Sequence, residues 1–260
     1  MLPTDLQVLL WSLRQHTHSV QIQSEEPWIP RELCKLQGKE NGRIVEGPFM
    51  REAFSITRWL PEIGLKPNLT MKKMALVVPK DSGLPLATVE RDYILSLQTT
   101  GRSVERIPAT FLDVSAALGK GEYDSWHFTG HGGFRDPDPN RSKMLLETKD
   151  ELTPEDVSGG GANLGIPQPL VFLNACQIGR SAMSLTGIGG WAHQFLRAGA
   201  YWSIYDDAAH NFATAFYSRL LAGMPIGKAA QEARLAIKLQ GDPTWLAYTV
   251  FADPLATMQV

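Results

Sequence analysis

Cysteine is scarce in this chain. Cys34 and Cys176 are the only two among 260 residues, so no disulfide framework is available to hold the fold. A reducing, cytoplasmic setting is expected, and it would keep a reactive thiol available. No apolar run approaches the roughly 18 residues that read as a membrane span, so no membrane association is expected. The opening residues Met1 to Leu6 lack the basic region of a secretory signal. Neither sign of charge dominates: 25 Lys and Arg stand against 27 Asp and Glu, for a formal net charge of −2. That balance leaves no electrostatic footprint for direct nucleic-acid binding. His16 and His18 have no ligand partners at useful spacing, so no metal site follows. The Gly-x-Ser-x-Gly elbow of serine hydrolases is missing. The glycine clusters at 159–161 and 187–190 lack the Lys-Ser/Thr of a phosphate loop and the spacing of a dinucleotide fingerprint. No cofactor is therefore expected.

What is present is an ordinary globular composition, 43% apolar and 20% charged. The length suits one large domain with an N-terminal extension. Residues 1–73 are assigned to that extension and residues 74–260 to the main domain. In the extension, Leu6 to Leu13 is amphipathic. Ser19 to Gln23 and Phe54 to Arg58 alternate as strands do, and Pro27 to Leu33 reads as a Pro-initiated helical turn. Gly42 to Gly47 reads as a turn. From Met74 onward, apolar runs alternate with helical periodicity. Strands are predicted at Met74 to Pro79, Ser103 to Ile107, Tyr123 to Gly130, Met144 to Glu147, Pro169 to Cys176 and Trp245 to Phe251. Helices are predicted at Leu84 to Leu97, Ala109 to Leu118, Thr153 to Val157, Gly190 to Arg197, Asn211 to Ala222 and Ile226 to Leu239. The Leu84 to Leu97 helix is expected to turn Leu86, Val89, Tyr93, Ile94 and Leu97 to one side. This alternation predicts an α/β fold with a mostly parallel sheet sandwiched by helices.

Two of the strands end alike. Trp126-His-Phe-Thr-Gly-His131-Gly132-Gly133 places an imidazole just past an apolar run, and Leu170-Val-Phe-Leu-Asn-Ala-Cys176 places a thiol at the same point of a second run. Open parallel sheets put their ligands beyond the carboxyl ends of their strands. A thiol is mostly protonated at neutral pH and needs a nearby base to act as a nucleophile. Cys176 is accordingly the candidate nucleophile and His131 the candidate acid/base. The tetrahedral oxyanion needs preorganised donors. The backbone N–H groups of Cys176 and of Gly132 or Gly133 are the candidates, Gly132 first. His127 shares a strand face with His131 and is expected to be a packed residue behind the site.

These segments resemble CHAT-domain peptidases, caspase-like cysteine proteases related to separases, gingipains and metacaspases. His127-Phe-Thr-Gly-His131-Gly is similar to the family's His-Phe-Ala-x-His-Gly, whose second His is catalytic. Leu173-Asn-Ala-Cys176-Gln-Ile-Gly179 resembles its Leu-Ser-Ala-Cys-Gln-Thr-Gly, whose Cys is the nucleophile. Trp202-Ser-Ile-Tyr-Asp-Asp207 is similar to its Trp-x-Val-Asp-Asp stretch, and Trp245 to Pro254 to its closing Trp-to-Asp-Pro segment. Pro27-Trp-Ile-Pro-Arg-Glu-Leu33 and Phe54-Ser-Ile-Thr-Arg58 match its N-terminal pieces more loosely. The resemblance implies a caspase-like fold. It also implies a Cys176/His131 dyad cleaving specific protein substrates, control by a sensor or partner protein, and a setting in bacterial defence or programmed death.

Two departures bear on specificity. The segment between Gly199 and Trp202 is shorter than in relatives. Tyr205 also stands where they carry the first acid of the pair. In separase-like relatives that acid binds a basic side chain on the amino side of the scissile bond. Tyr205, Asp206 and Asp207 are therefore the candidate substrate-binding residues, and a strictly basic preference is not expected. The competing reading is a catalytically inactive caspase-like binding module, which the shortened segment would favour. A thiol hydrolase or transferase acting on small molecules is a third.

Overall fold

A computed structural model describes residues 2–24, 26, 29–60, 64–133, 141–160, 163–164, 168–175, 182–184, 187–189, 191, 209–238 and 243–259. In chain order, the N-terminal elements are α1 (Thr4–Leu13), β1 (Ser19–Gln23), β2 (Lys35–Glu40), β3 (Arg43–Phe49), α2 (Met50–Ala53), β4 (Ser55–Trp59) and β5 (Asn68–Leu69). The main part begins with β6 (Lys73–Val77), α3 (Pro85–Ser96), β7 (Ser103–Arg106), α4 (Phe111–Lys120) and β8 (Ser125–Thr129). It continues through β9 (Gly132–Gly133), β10 (Lys143–Leu145), β11 (Glu151–Leu152), α5 (Pro154–Gly160), β12 (Leu170–Asn174), β13 (Ala182–Ser184) and β14 (Gly187–Gly189). After these come α6 (Ala209–Leu221), α7 (Ile226–Ala236) and β15 (Thr257–Met258).

Strands β12, β8, β6 and β7 form, in that order, a four-stranded sheet in which every pairing is parallel. Every residue of β8 and β12 is buried, as continuous apolar strands covered on both faces require. Side chains alternate across such a strand. His127 and Phe172 pair in register and stack at 4.9 Å. Phe172 in turn meets Phe212, Phe216 and Tyr217 of α6. Helix α3 packs on α6 and α6 on α7, while α4 packs on α5. Sequence chemistry sets the helix ends. Pro85 opens α3. Thr110 caps α4 through the Asp113 N–H, and Gly121 closes it at φ +63°.

The N-terminal residues are joined to this body by buried charge. Glu32 accepts from Arg51 at 2.6 Å and from Arg58 at 2.7 Å, and all three side chains are buried. Arg51 and Arg234 of α7 also converge on the Tyr248 carbonyl, at 3.2 and 3.0 Å. Strand β4 pairs in parallel with β1 and makes a single parallel bridge, Arg58 to Phe251.

Three local expectations change. Gly42 is in a turn as expected, but residues 43–47 lie in a strand. Asn41 and Gly42 make the hairpin at φ +50° and +78°, and β3 runs on from there against β2; two positive-φ residues suit the primed turns of hairpins. Trp245 to Phe251 is a short 3-10 turn (Thr244–Leu246) followed by irregular chain. Its Tyr248 carbonyl is held by two arginines instead of a strand, and its Tyr248 ring stacks on Phe212 at 3.6 Å. Finally, α3 buries Ala87, Glu90 and Ile94, while Leu86 and Val89 are 45% and 47% exposed. A polar anchor, described below, sets that helix's rotation. The helix expected at 190–197 lies outside the described residues except for Trp191, which is helical and fully buried.

Candidate active site

Parallel pairing of β8 and β12 sets their last residues, Thr129 and Asn174, side by side. One further bond, Gly130 N–H to the Asn174 carbonyl at 3.1 Å, keeps the two chains together past the strand ends. His131 follows Thr129 by two residues, as Cys176 follows Asn174 by two in the sequence. Cys176 itself lies outside the described residues, as do Tyr205, Asp206 and Asp207.

His131 is half-buried. Its Nε2 stands 2.7 Å from the Ser82 carbonyl oxygen. A carbonyl only accepts, so Nε2 carries a proton and donates it there, which orients the ring and leaves Nδ1 to face other groups. The loop supplying that carbonyl is itself fastened. Asp81 accepts from the Thr148 N–H at 3.1 Å and Glu147 accepts from the Lys80 N–H at 3.2 Å. Thr148 and Lys149 adopt φ of +58° and +66° to make this turn, a conformation uncommon outside glycine.

Gly132 pairs opposite Met144 in the β9–β10 ladder, and the Leu145 N–H donates to the His131 carbonyl at 2.9 Å. His131 and Leu145 are thus a hydrogen-bonded pair. Gly132, one residue on, occupies a non-hydrogen-bonded position whose N–H points away from β10. A cleft of about 780 Å³, counting its open mouth, borders this turn. Its walls include His131, Ser82, Asp81, Lys143, Lys149 and Glu151.

On the other side of the strand ends lies a buried polar group that the apolar periodicity of α3 does not announce. Glu90 is 1% exposed and His127 is fully buried. Glu90 Oε1 accepts from His127 Nε2 at 2.7 Å, from Thr129 Oγ1 at 2.6 Å and from Asn174 Nδ2 at 2.8 Å. Among the described residues, Oε2 accepts from Asn174 alone, at 2.7 Å. One carboxylate therefore clamps the last residues of both strands. Burial pushes the Glu90 carboxyl up, but the donors His127, Thr129 and Asn174 outweigh it and hold the group below the ordinary carboxylate range. The chain of bonds ends at Tyr217 of α6, whose hydroxyl lies 3.0 Å from His127 Nδ1. Burial, followed by the nearby Glu90 charge, pushes the Tyr217 hydroxyl well above its ordinary value. The available signal for this group was chemical: a His and an Asn inside two buried strands each require a polar partner.

The CHAT domain family matches residues 27–250. The chain belongs to this family, a caspase-like protease family. Its fold is similar to that of separase in the Saccharomyces cerevisiae separase–securin complex. The two are 11% identical with a TM-score of 0.52, and the match covers 85% of this chain and 16% of that one. This chain thus spans a small part of that protein's length, and the likeness is one of fold. No curated protein matches the chain.

Proposed function

We propose that this protein is a cysteine endopeptidase in which Cys176 and His131 act as a dyad. The observation that carries the reading is the end of β8. His131 stands there with Nε2 pinned by the Ser82 carbonyl, next to strand β12, whose pairing runs to Asn174 and whose sequence continues as Ala175-Cys176. In the proposed reaction the Cys176 thiolate forms a bond to the substrate carbonyl carbon. The Gly132 and Cys176 N–H groups hold the resulting oxyanion. His131 protonates the leaving amine as the C–N bond breaks, then takes a proton from the water that hydrolyses the thioester. Tyr205, Asp206 and Asp207 line the substrate side in this reading. Residues 1–73 form an N-terminal extension, either part of the CHAT-like region or a partner surface, to the 74–260 peptidase domain. The substrate is a cytoplasmic protein, and a partner or sensor controls access, in a defence or programmed-death system. The neighbouring fold was solved with securin bound, which is in keeping with control by a protein partner. No helix among the described residues is long and apolar enough to cross a membrane.

The test is labelling of the purified protein with electrophilic peptide ketones, read by intact mass and site mapping. Selective modification of Cys176, lost in Cys176→Ala and strongly reduced in His131→Ala, is the expected result. An inert Cys176 in the presence of every candidate partner would favour the binding-module reading.

A further inference from the structure

Where the N-terminal elements meet α7, positive charge outnumbers negative charge out of water. Glu32 accepts from Arg51 and Arg58, and Arg51 shares the Tyr248 carbonyl with Arg234. All four charged residues are buried. Burial, followed by repulsion from Arg51, pulls the Arg234 guanidinium down to about 9, so it is charged at neutral pH. Among the described residues, three guanidiniums are therefore gathered around one carboxylate. A buried charge is tolerated when it is paired, and Glu32 neutralises one of three.

The surplus charge comes with unused donors. Arg51 directs Nη1 to the Tyr248 carbonyl and Nη2 to Glu32, while Arg234 directs Nε to the same carbonyl. Arg51 Nε and Arg234 Nη1 are buried without a hydrogen-bond partner, and so is Thr57 Oγ1. Guanidinium nitrogens can only donate, and leaving a buried donor unmade is costly. Arg51, Arg234 and Thr57 line one cavity of about 160 Å³, counting its open mouth, with Ile56 and Val250 among its apolar walls. It is too narrow to seat a water molecule while the side chains keep these positions, so hydration does not relieve these donors. An anion relieves both the charge and the donors, and charge-assisted bonds are the stronger kind. The space sets its size. A phosphate, or a carboxylate with its stem, is too large. A single-atom ion needs only that the Arg51 and Arg234 guanidiniums, which repel each other, part slightly around it.

We propose that this cavity binds one monoatomic anion, chloride in physiological solution, held by Arg51, Arg234 and Thr57. The site depends on neither Cys176 nor His131. It joins α2 and β4 to α7, so its occupancy fastens the N-terminal elements to the main body.

The experiment is thermal unfolding of the full chain at neutral pH and fixed ionic strength, with sodium methanesulfonate exchanged stepwise for sodium chloride. Methanesulfonate is too bulky for the cavity and serves as the reference anion. Chloride at about ten times its dissociation constant should raise the melting temperature by about 3–6 °C along a saturating curve, and bromide should substitute for it. In Arg234→Gln, which lacks one charge, the chloride-dependent rise should fall below about 1 °C. Equal melting temperatures in chloride and methanesulfonate, or a rise kept in full by Arg234→Gln, overturn the proposal. Should that variant fail to fold, crystals of the unaltered protein soaked in bromide decide. An anomalous peak between Arg51 Nε and Arg234 Nη1 upholds the site, and bromide found only elsewhere on the protein overturns it.

Discussion

Replacing Glu32 by Gln should destabilise the protein more than almost any other single polar substitution. Glu32, Arg51, Arg58 and Arg234 are 4%, 2%, 6% and 1% exposed. Glu32 accepts from Arg51 at 2.6 Å and from Arg58 at 2.7, 2.9 and 3.0 Å. Burial pulls Arg51 down to about 10 and Arg234 to about 9, so both stay charged at neutral pH. Glutamine keeps the shape but removes the charge, and its amide N–H2 would face a guanidinium. Breaking a buried pair in this way costs about 3–5 kcal/mol, a large share of the ~5–15 kcal/mol that folds a typical domain. At roughly 2–4 °C per kcal/mol for a chain of this size, the melting temperature should fall by about 6–20 °C. Urea unfolding followed by far-UV circular dichroism and tryptophan fluorescence is the assay. The pH dependence checks the cause. Burial raises the Glu32 carboxyl, but Arg51 and Arg58 outweigh it and leave it below the ordinary value. A depressed folded-state value means the stabilisation is present above the unfolded value of about 4.3 and is lost as pH falls through the folded one. The gap between wild type and Glu32→Gln should therefore narrow on acidification. A loss under about 1 kcal/mol at pH 7, or a gap unchanged down to about pH 3, would refute this account of the cluster.

Gly121→Ala should cost about 1–3 kcal/mol, since a Cβ there would lie 2.6 Å from the Asn163 carbonyl oxygen at a φ of +63°; thermal melts decide, and an unchanged midpoint would contradict the close approach. Tyr217→Phe keeps the ring against Phe172 and Phe216 but strips His127 Nδ1 of its partner. About 1–3 kcal/mol should be lost by urea titration, and a neutral result would mean the hydroxyl is dispensable to the buried chain.

How far the sequence reveals this protein depends on what kind of force sets each feature. The parallel sheet is legible because Met74 to Val77, Trp126 to Phe128 and Leu170 to Leu173 bury apolar runs on both faces, and hydrophobic burial leaves a periodic trace. The ends of β8 and β12 are legible for the same reason: where an apolar run stops, the strand stops, and His131 and Gly132 follow directly. The hairpin escaped because no residue of its strand β3 is buried and Gly47 and Pro48 interrupt the strand pattern, so pairing rather than burial defines it; Asn41-Gly42 was the local sign. The rotation of α3 escaped because its buried face centres on a glutamate. Leu86 and Val89 have the hydrophobic claim to the interior, yet Glu90 takes the place, held by donors from His127, Thr129 and Asn174 on two strands far away in sequence. A hydrogen-bonded carboxylate can outcompete apolar side chains for a buried position only when its donors are already fixed, and β8 and β12 fix them. The same dependence explains Ser82. Its side chain carries no signal, because the group that orients His131 is its backbone carbonyl, delivered by a loop that Asp81 and Glu147 tie down. Groups that act through the backbone or through charges gathered from several strands become visible only once the chain is folded.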